Sequence, residues 1–393
     1  MKNVPKLRFN GFSDEWEEIR LGDYLVKSTE VATEHSNIPV LTSSRRGLFL
    51  QTEYFNKEIS AKDTTGYNVI RKGYFTYRHM SDDSTFYFNI NNKWDIALVS
   101  PEYPVFKTNE YLSQYILQQH LNSSKAFEKF CKMQKKGGTR TRLYYKVLQD
   151  YTMKIPSCEE QEKIANFLTK VDKLIEKQDE KVKNIEKYKK GMMQKIFSQE
   201  IRFKDENGKE YPEWEEKKLE QCFLERVEKN KPDLELLSVS ISDGVKKRSE
   251  IESKDNSSDD KSNYKLVEQN DIVYNSMRMW QGASGVSEYK GIVSPAYTVL
   301  IPLDNVNSIY FSYLFKLENT INKFRKFSQG LTSDTWNLKY PLLKDIKVIV
   351  PCLNEQDKIA RFLTRISLII EEENNKLEEL KQWKKGLLQQ MFV

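Results

Sequence analysis

Hydrophobic positions follow two rhythms along this chain, and the alternation between them occurs twice. Residues 159–197 and 354–392 contain no proline, and apolar side chains return there at spacings of three and four. The first seam runs Ile164, Leu168, Val171, Ile175, Gln178, Val182, Ile185, Tyr188, Met192, Ile196. The second runs Ile359, Leu363, Ile366, Ile370, Glu373, Leu377, Leu380, Trp383, Leu387, Met391. Such seams predict long coiled-coil helices. About 39 residues at 1.5 Å each span roughly 58 Å, longer than a small domain is wide, so each helix is expected to pair with the other rather than cover its own domain. Between them, residues near 22–155 and 220–350 mix short β-rich runs such as GYFTY and DIVYN with Gly, Asn and Ser turns. These read as globular α/β domains.

The two halves are copies. Arg8, Phe9, Trp16, Glu17, Glu18 and Leu21 return as Arg202, Phe203, Trp214, Glu215, Glu216 and Leu219. Ser43, Gly47, Tyr77 and Met80 return as Ser240, Gly244, Tyr274 and Met277, and the VSP at Val99–Pro101 returns at Val293–Pro295. The strongest match carries Pro156, Glu160, Gln161, Lys163, Ile164 and Ala165 onto Pro351, Glu355, Gln356, Lys358, Ile359 and Ala360 at an offset of 195. A repeat of this length organises the fold. The expected architecture is α/β: two globular domains, 1–155 and 200–350, joined by two long antiparallel coiled-coil helices, 156–199 and 351–393, in a pseudo-twofold arrangement. One polar step, Gln178 and Glu373, interrupts both seams. It reads either as a register-fixing polar layer or as a solvated break.

Composition narrows the function. The 393 residues carry a formal charge of +6, and their 31% charged content suits long solvated helices. Cys131, Cys158, Cys222 and Cys352 are dispersed without a CxxC, which points to a reducing cytoplasm and away from a zinc knuckle. No apolar run approaches the ~18 residues of a membrane span, and the opening MKNVPKLRFN lacks a signal-peptide core. Neither membrane insertion nor export is expected. Phosphate-loop, dinucleotide and HExxH motifs are missing, and His35, His79 and His120 have no partners at metal-ligand spacing. The one nuclease-like pattern, Asp243 followed by Glu252-Ser253-Lys254, falls in a polar loop. It keeps a metal-dependent nuclease open as an alternative, beside a purely structural coiled-coil protein.

The positive signal is electrostatic. Lys125, Lys129, Lys132, Lys135, Lys136, Arg140, Arg142 and Lys146 crowd one segment whose only acid is Glu128. Within it KKGGTRTR joins a Gly137-Gly138 turn to Thr139 and two guanidinium groups, donors suited to phosphate oxygens. The second half has a milder counterpart in Lys323, Arg325 and Lys326, then Thr332 and Ser333. Base reading must differ between the halves, so its candidates sit where the copies disagree. These are Ser43, Ser44, Arg45, Arg46, Arg78 and His79 in the first half. In the second they are Ser240, Ser242, Lys246, Lys247, Asn275, Ser276, Arg278 and Gln281. Taken singly, each of these is more simply read as an ordinary surface side chain.

Taken whole, the chain resembles the specificity subunits of type I restriction-modification systems. The resemblance rests on the paired starts (PKLRFNGFSDEWEEIRLGDY and IRFKDENGKEYPEWEEKKLEQ), the paired EQxKIA exits, and KKG at Lys189–Gly191 and Lys384–Gly386. It departs where the second half has GLTSDTWN in place of GGTR. The resemblance implies a non-catalytic reader of double-stranded DNA, each domain being a target-recognition domain for one half of an asymmetric bipartite target. It also implies that the chain itself binds no cofactor. Two modification (methyltransferase) subunits using S-adenosylmethionine on adenine, and restriction subunits using ATP and Mg²⁺, are the implied partners.

Overall fold

The computed structural model describes residues 4–34, 37–55, 63–135, 137–241, 244–251 and 257–392. They form two compact units, residues 1–180 with 374–393 and residues 181–373. The long helices are Cys158–Phe197 and Leu353–Met391, 40 and 39 residues. Each therefore begins in one unit and ends in the other.

Inside each unit the start of one helix lies antiparallel to the end of the other. In the first unit Ile164, Leu168 and Val171 pack with Leu387 and Met391. In the second, Ile359 and Leu363 pack with Ile196 and Met192. The lysines of the two KKG motifs fix the register. Lys384 Nζ lies 2.5 Å from Asp172 Oδ1, and Lys189 Nζ donates to Ser367 Oγ at 2.7 Å. Ser367 is the repeat partner of Asp172, and a tyrosine hydroxyl joins each pair: Tyr115 donates to Asp172 and Tyr313 meets Ser367. The polar seam residue Glu373 is buried and pairs with Lys181 at 2.7 Å, so at this residue the seam holds a buried charge rather than a solvated break.

Each globular domain repeats the same sheets. Strands Glu17–Arg20 and Thr152–Ile155 pair antiparallel, as do Glu215–Lys218 and Lys347–Val350. A four-stranded sheet orders Leu25–Lys27, Val105–Thr108, Phe75–Thr76 and Asn89–Ile90; its copy orders Phe223–Glu225, Tyr297–Pro302, Ile272–Asn275 and Ser284–Val286. A second sheet of the first unit places the hairpin Val40–Ser44/Gly47–Leu50 beside Ile96–Val99 and Asn68–Arg71. In the second unit this sheet is two pairs, Leu237–Ser240 with Gly244–Lys247 and Lys265–Val267 with Gly291–Val293. A parallel bridge from Leu236 to Ile292 links them. Phe75, Phe88, Phe106 and Phe127 fill the first core, and Phe223, Phe311, Phe315 and Phe324 the second.

The EQ of each repeated exit joins helix to domain. Glu160 is 1% exposed and takes a two-point contact from Arg8, at 2.8 and 2.7 Å. Glu355 takes the same contact from Arg202, at 3.4 and 2.9 Å. Gln161 Oε1 accepts from the Ser113 amide and Gln356 Oε1 from the Asn307 amide, each at the N-terminus of a domain helix. Removing either arginine would strand a buried carboxylate, which typically costs ~3–5 kcal/mol. The motif most diagnostic of the repeat is thus structural.

Among the histidines, His35 lies outside the described residues, and His79 and His120 are buried. The His120 Nε2 sits 2.9 Å from the Tyr151 hydroxyl, and burial pushes its pKa down to about 4. The unfolded chain titrates this group near ~6.5, so the folded state favours the neutral ring. Its contribution is fully present above pH ~6.5 and is lost as pH falls towards 4, up to ~3 kcal/mol in all. His120→Gln is expected to flatten that loss, read as denaturant midpoints at pH 7 and 4.5. An acid slope equal to wild type would remove His120 as its source.

Candidate nucleic-acid interface

The hairpin turn Arg45-Arg46 and the segment 78–85 face each other across a cleft of ≈ 540 Å³ in the first unit. Ser43, Ser44, Arg45, Arg46 and Arg78 all line it. They do not all present free donors. Ser43 is buried and its Oγ accepts from Asn89 Nδ2, while Ser44 Oγ donates to Gly47 O and accepts from the Arg46 amide. Both hydroxyls therefore hold the hairpin. Arg46 lies over the rings of Phe49 and Tyr54, and Arg45 pairs with Asp83 at 2.5 Å. Arg78 is exposed and makes no hydrogen bond or ion pair among the described residues. His79 faces inward: its Nδ1 lies 2.6 Å from the Glu102 carbonyl and its ring stacks on Tyr144, so packing occupies the side chain expected to read a base.

Asp82 and Asp83 are the acidic residues lining the cleft, and the sequence reading missed them. Asp83 accepts from the Thr85 hydroxyl at 2.6 Å, from Arg45, and from the Ser81 hydroxyl at 2.8 Å. Those donors, the Thr85 hydroxyl first and Arg45 next, hold its carboxyl well below the usual range. Their sequence signal was two adjacent acids three residues beyond the candidate reader His79.

The basic segment joins this cleft. Strand Thr141–Arg142 pairs antiparallel with Met80–Ser81, and the Leu143 amide donates to His79 O at 2.8 Å. Arg140 Nε donates to Asp82 at 2.8 Å. Gly137 and Gly138 take φ of +66° and +75° with open space around them, a turn that favours glycine and leaves its backbone approachable. Lys135, Thr139 and Arg142 are exposed, and Lys136 lies outside the described residues.

The second unit repeats the join, with the Leu338 amide donating to Ser276 O at 2.8 Å. Its hairpin closes Ser240 against Gly244, where the first closes Ser44 against Gly47. The second turn is thus one residue longer, and Ser44 rather than Ser43 is the counterpart of Ser240. Ser242, with Asp243 and Glu252–Lys254, lies outside the described residues. Lys246 and Lys247 lie on the returning strand, Lys247 over the Tyr289 ring. Ser276 is buried on Thr298, so its hydroxyl is engaged internally. Asn275 Oδ1 accepts from the Met277 amide, and Arg278 Nη1 donates to Gln281 Oε1 at 3.3 Å. Lys323 Nζ is held by Lys347 O, Arg325 Nε donates to Trp280 O, and Lys326 is exposed. Thr332 and Ser333 sit at the start of a short turn, Ser333–Thr335, in the loop that follows.

Two α/β domains that each bring a basic, glycine-bearing segment to a polar face define a duplicated DNA-recognition protein. The family model described as "Type I restriction modification DNA specificity domain" matches residues 13–187 and again 212–382, and the chain belongs to that family. It is the DNA-sequence recognition component of a type I system and assembles with other subunits. It is 24% identical over 421 aligned residues to the type I restriction enzyme MjaVIII specificity subunit of Methanocaldococcus jannaschii, covering 95% of this chain and 91% of that one. In fold it is similar to the type I S subunit from M. genitalium, with a TM-score of 0.58, 15% identity and 99% of both chains covered. A second similar chain comes from a structure of type I complex assembly and conformational transition (TM-score 0.50, 15% identity, 95% and 96% covered). Among the described residues no helix is long and apolar enough to cross a membrane.

Proposed function

We propose that each domain reads one half of an asymmetric bipartite target in double-stranded DNA and that the chain does so without catalysis of its own. The observation that carries this is the repeated join. In both units the segment that follows the basic helix is hydrogen-bonded to the segment holding the base-reading candidates, through His79 O in one and Ser276 O in the other. Phosphate contacts from Lys135, Lys136, Gly138, Thr139, Arg140 and Arg142 would set position, since phosphates carry no sequence information. Arg45 and Arg78 would read bases in the first half-site, as arginine can bridge guanine O6 and N7. Asn275, Arg278 and Gln281 would do so in the second, with Lys246, Lys247, Arg325 and Lys326 on phosphates.

Two modification subunits carrying S-adenosylmethionine would methylate adenine, and restriction subunits using ATP and Mg²⁺ would join them, in the cytoplasm. No cofactor is assigned to this chain. Methylation mapping of DNA from cells with and without the chain is expected to show one bipartite motif that depends on it. Arg78→Ala should then relax one base of the first half-site, at a cost of ~1–3 kcal/mol against the wrong base. Relaxation in the second half-site, or no dependent motif, would defeat this assignment.

A further inference from the structure

The loop after the basic helix of the second unit carries a side chain that can make no hydrogen bond to a phosphate or a base edge. Gln329 and Asn337 close it by exchanging backbone hydrogen bonds of 3.0 and 2.8 Å. Within it Gly330 holds φ +146°, and a Cβ there would lie 2.6 Å from Thr335 O, so the tip is formed around glycine. The Thr332 amide donates to Thr335 Oγ1 at 3.1 Å, and that hydroxyl donates back to Thr332 O at 2.9 Å. Polar bonds therefore fix the loop, and the next residue after the glycine, Leu331, is 100% exposed.

A single exposed leucine is ordinary on a protein surface. This one differs in its setting. Trp336, in the same loop, meets Trp280 edge to face at 5.3 Å, and Trp280 Nε1 is anchored on Met277 O at 3.0 Å. Arg325 Nε donates to Trp280 O, which ties the cationic end of helix Glu318–Phe327 to the same turn. Arg278 and Gln281, the base-reading candidates, flank that turn. The first unit has Gly-Thr-Arg-Thr-Arg in the corresponding segment; here the segment carries a leucine and a tryptophan and no arginine. Neighbouring cations favour a polyanion over an apolar protein surface as the occupant.

We infer that Leu331 is a wedge that enters a base-pair step of duplex DNA in or beside the half-site read by the second domain. The Trp280–Trp336 contact joins its loop to the turn at Met279–Gln281, and Arg325 and Lys326 face the phosphates around the opened step. Apolar side chains that part a base step unstack it and kink the duplex, and the loss of stacking is offset by the larger protein surface that the bent duplex covers. The inference rests on the proposed DNA-reading role of the second domain.

The full chain, assembled with its modification subunits, is titrated with duplexes of the mapped target. 2-Aminopurine replaces, one at a time, adenines of the second half-site and unspecified positions on either side of it, except the adenine to be methylated, which the modification subunits themselves turn out of the stack. Binding is followed in parallel by anisotropy. Wild type should brighten the probe several-fold at one step. Leu331→Ala should abolish that and bind about tenfold more weakly, while Leu331→Met retains most of both. The unfolding midpoint of Leu331→Ala should not move, because the side chain is fully exposed. Tight binding with no brightening at any position, or equal brightening in Leu331→Ala, overturns the wedge and leaves the reading role intact. Weaker subunit association in Leu331→Ala, with brightening retained, would make Leu331 a protein contact and also overturn it. A wild-type complex indifferent to the second half-site overturns the reading role itself.

Discussion

A fragment ending at residue 199 is expected to form a homodimer that rebuilds the first unit twice. In the intact chain that unit is completed by the end of the second helix: Leu387 and Met391 enter its core, Phe392 meets Trp16 edge to face, and Gln390 O accepts from the Leu7 amide. The fragment lacks those residues. Its own helix end offers Met192, Met193, Ile196 and Phe197 at the repeat-equivalent positions, and the same four pack into the second unit of the intact chain. Lys189, equivalent to Lys384, would meet Asp172 of the other copy. Burying four apolar side chains per copy at ~1.5–3 kcal/mol each gives a gross gain that can exceed an association cost of ~4–15 kcal/mol. Sedimentation equilibrium should therefore show a dimer at micromolar concentrations. Ile196→Glu should abolish it, because an unpaired buried carboxylate costs several kcal/mol. With modification subunits the dimer should select two inverted copies of the first half-site. A monomeric fragment, or one that still selects the asymmetric target, would defeat the expectation.

The long-range order of this chain was legible because it is written in periodicity and in duplication. The seam residues predicted helices over 159–197 and 354–392, and the helices found are Cys158–Phe197 and Leu353–Met391. The EQxKIA exits were legible as landmarks, but their role was not. That Glu160 binds Arg8 depends on a residue 152 positions away, which no local pattern encodes. At the candidate interface the sequence located cations without their partners. Arg45 is held by Asp83, Arg140 by Asp82 and Lys132 by Glu128, so the formal excess of charge overstates what faces outward. Alternation along the strand Val40–Ser44 could not show that Ser43 turns inward to Asn89. Ser276 and His79 likewise sit where the sheet and the returning strand enclose them. Leu331 escaped notice because exposure of one apolar residue leaves no periodic trace.

Replacing Lys135, Lys136, Arg140 and Arg142 together by alanine should weaken binding to every DNA sequence. Each cation withdrawn from a phosphate takes up to ~0.9 from the slope of log K against log salt, so four take up to ~3.6. Near 0.1 M salt that is a loss of roughly 10³-fold, shared by target and non-target DNA, so the ratio between them should barely change. Not all four should count equally. The Lys135 and Arg142 side chains make no hydrogen bond or ion pair among the described residues, whereas Arg140 must first leave Asp82, at 2.8 Å. That pair is half-exposed and screened, so parting it costs little. Removing Arg140 also leaves Asp82 facing the phosphates unneutralised, and Arg140→Ala with Asp82→Asn should therefore bind better than Arg140→Ala alone. Stability should be nearly unaffected, since the Lys135, Arg140 and Arg142 side chains are exposed and the strand pairing of Thr141–Arg142 with Met80–Ser81 is made by backbone atoms. Titrations of target and non-target duplexes between roughly 50 and 200 mM salt decide the matter. An unchanged slope would place this segment away from DNA, and a loss confined to the target would make these residues base readers instead of phosphate contacts.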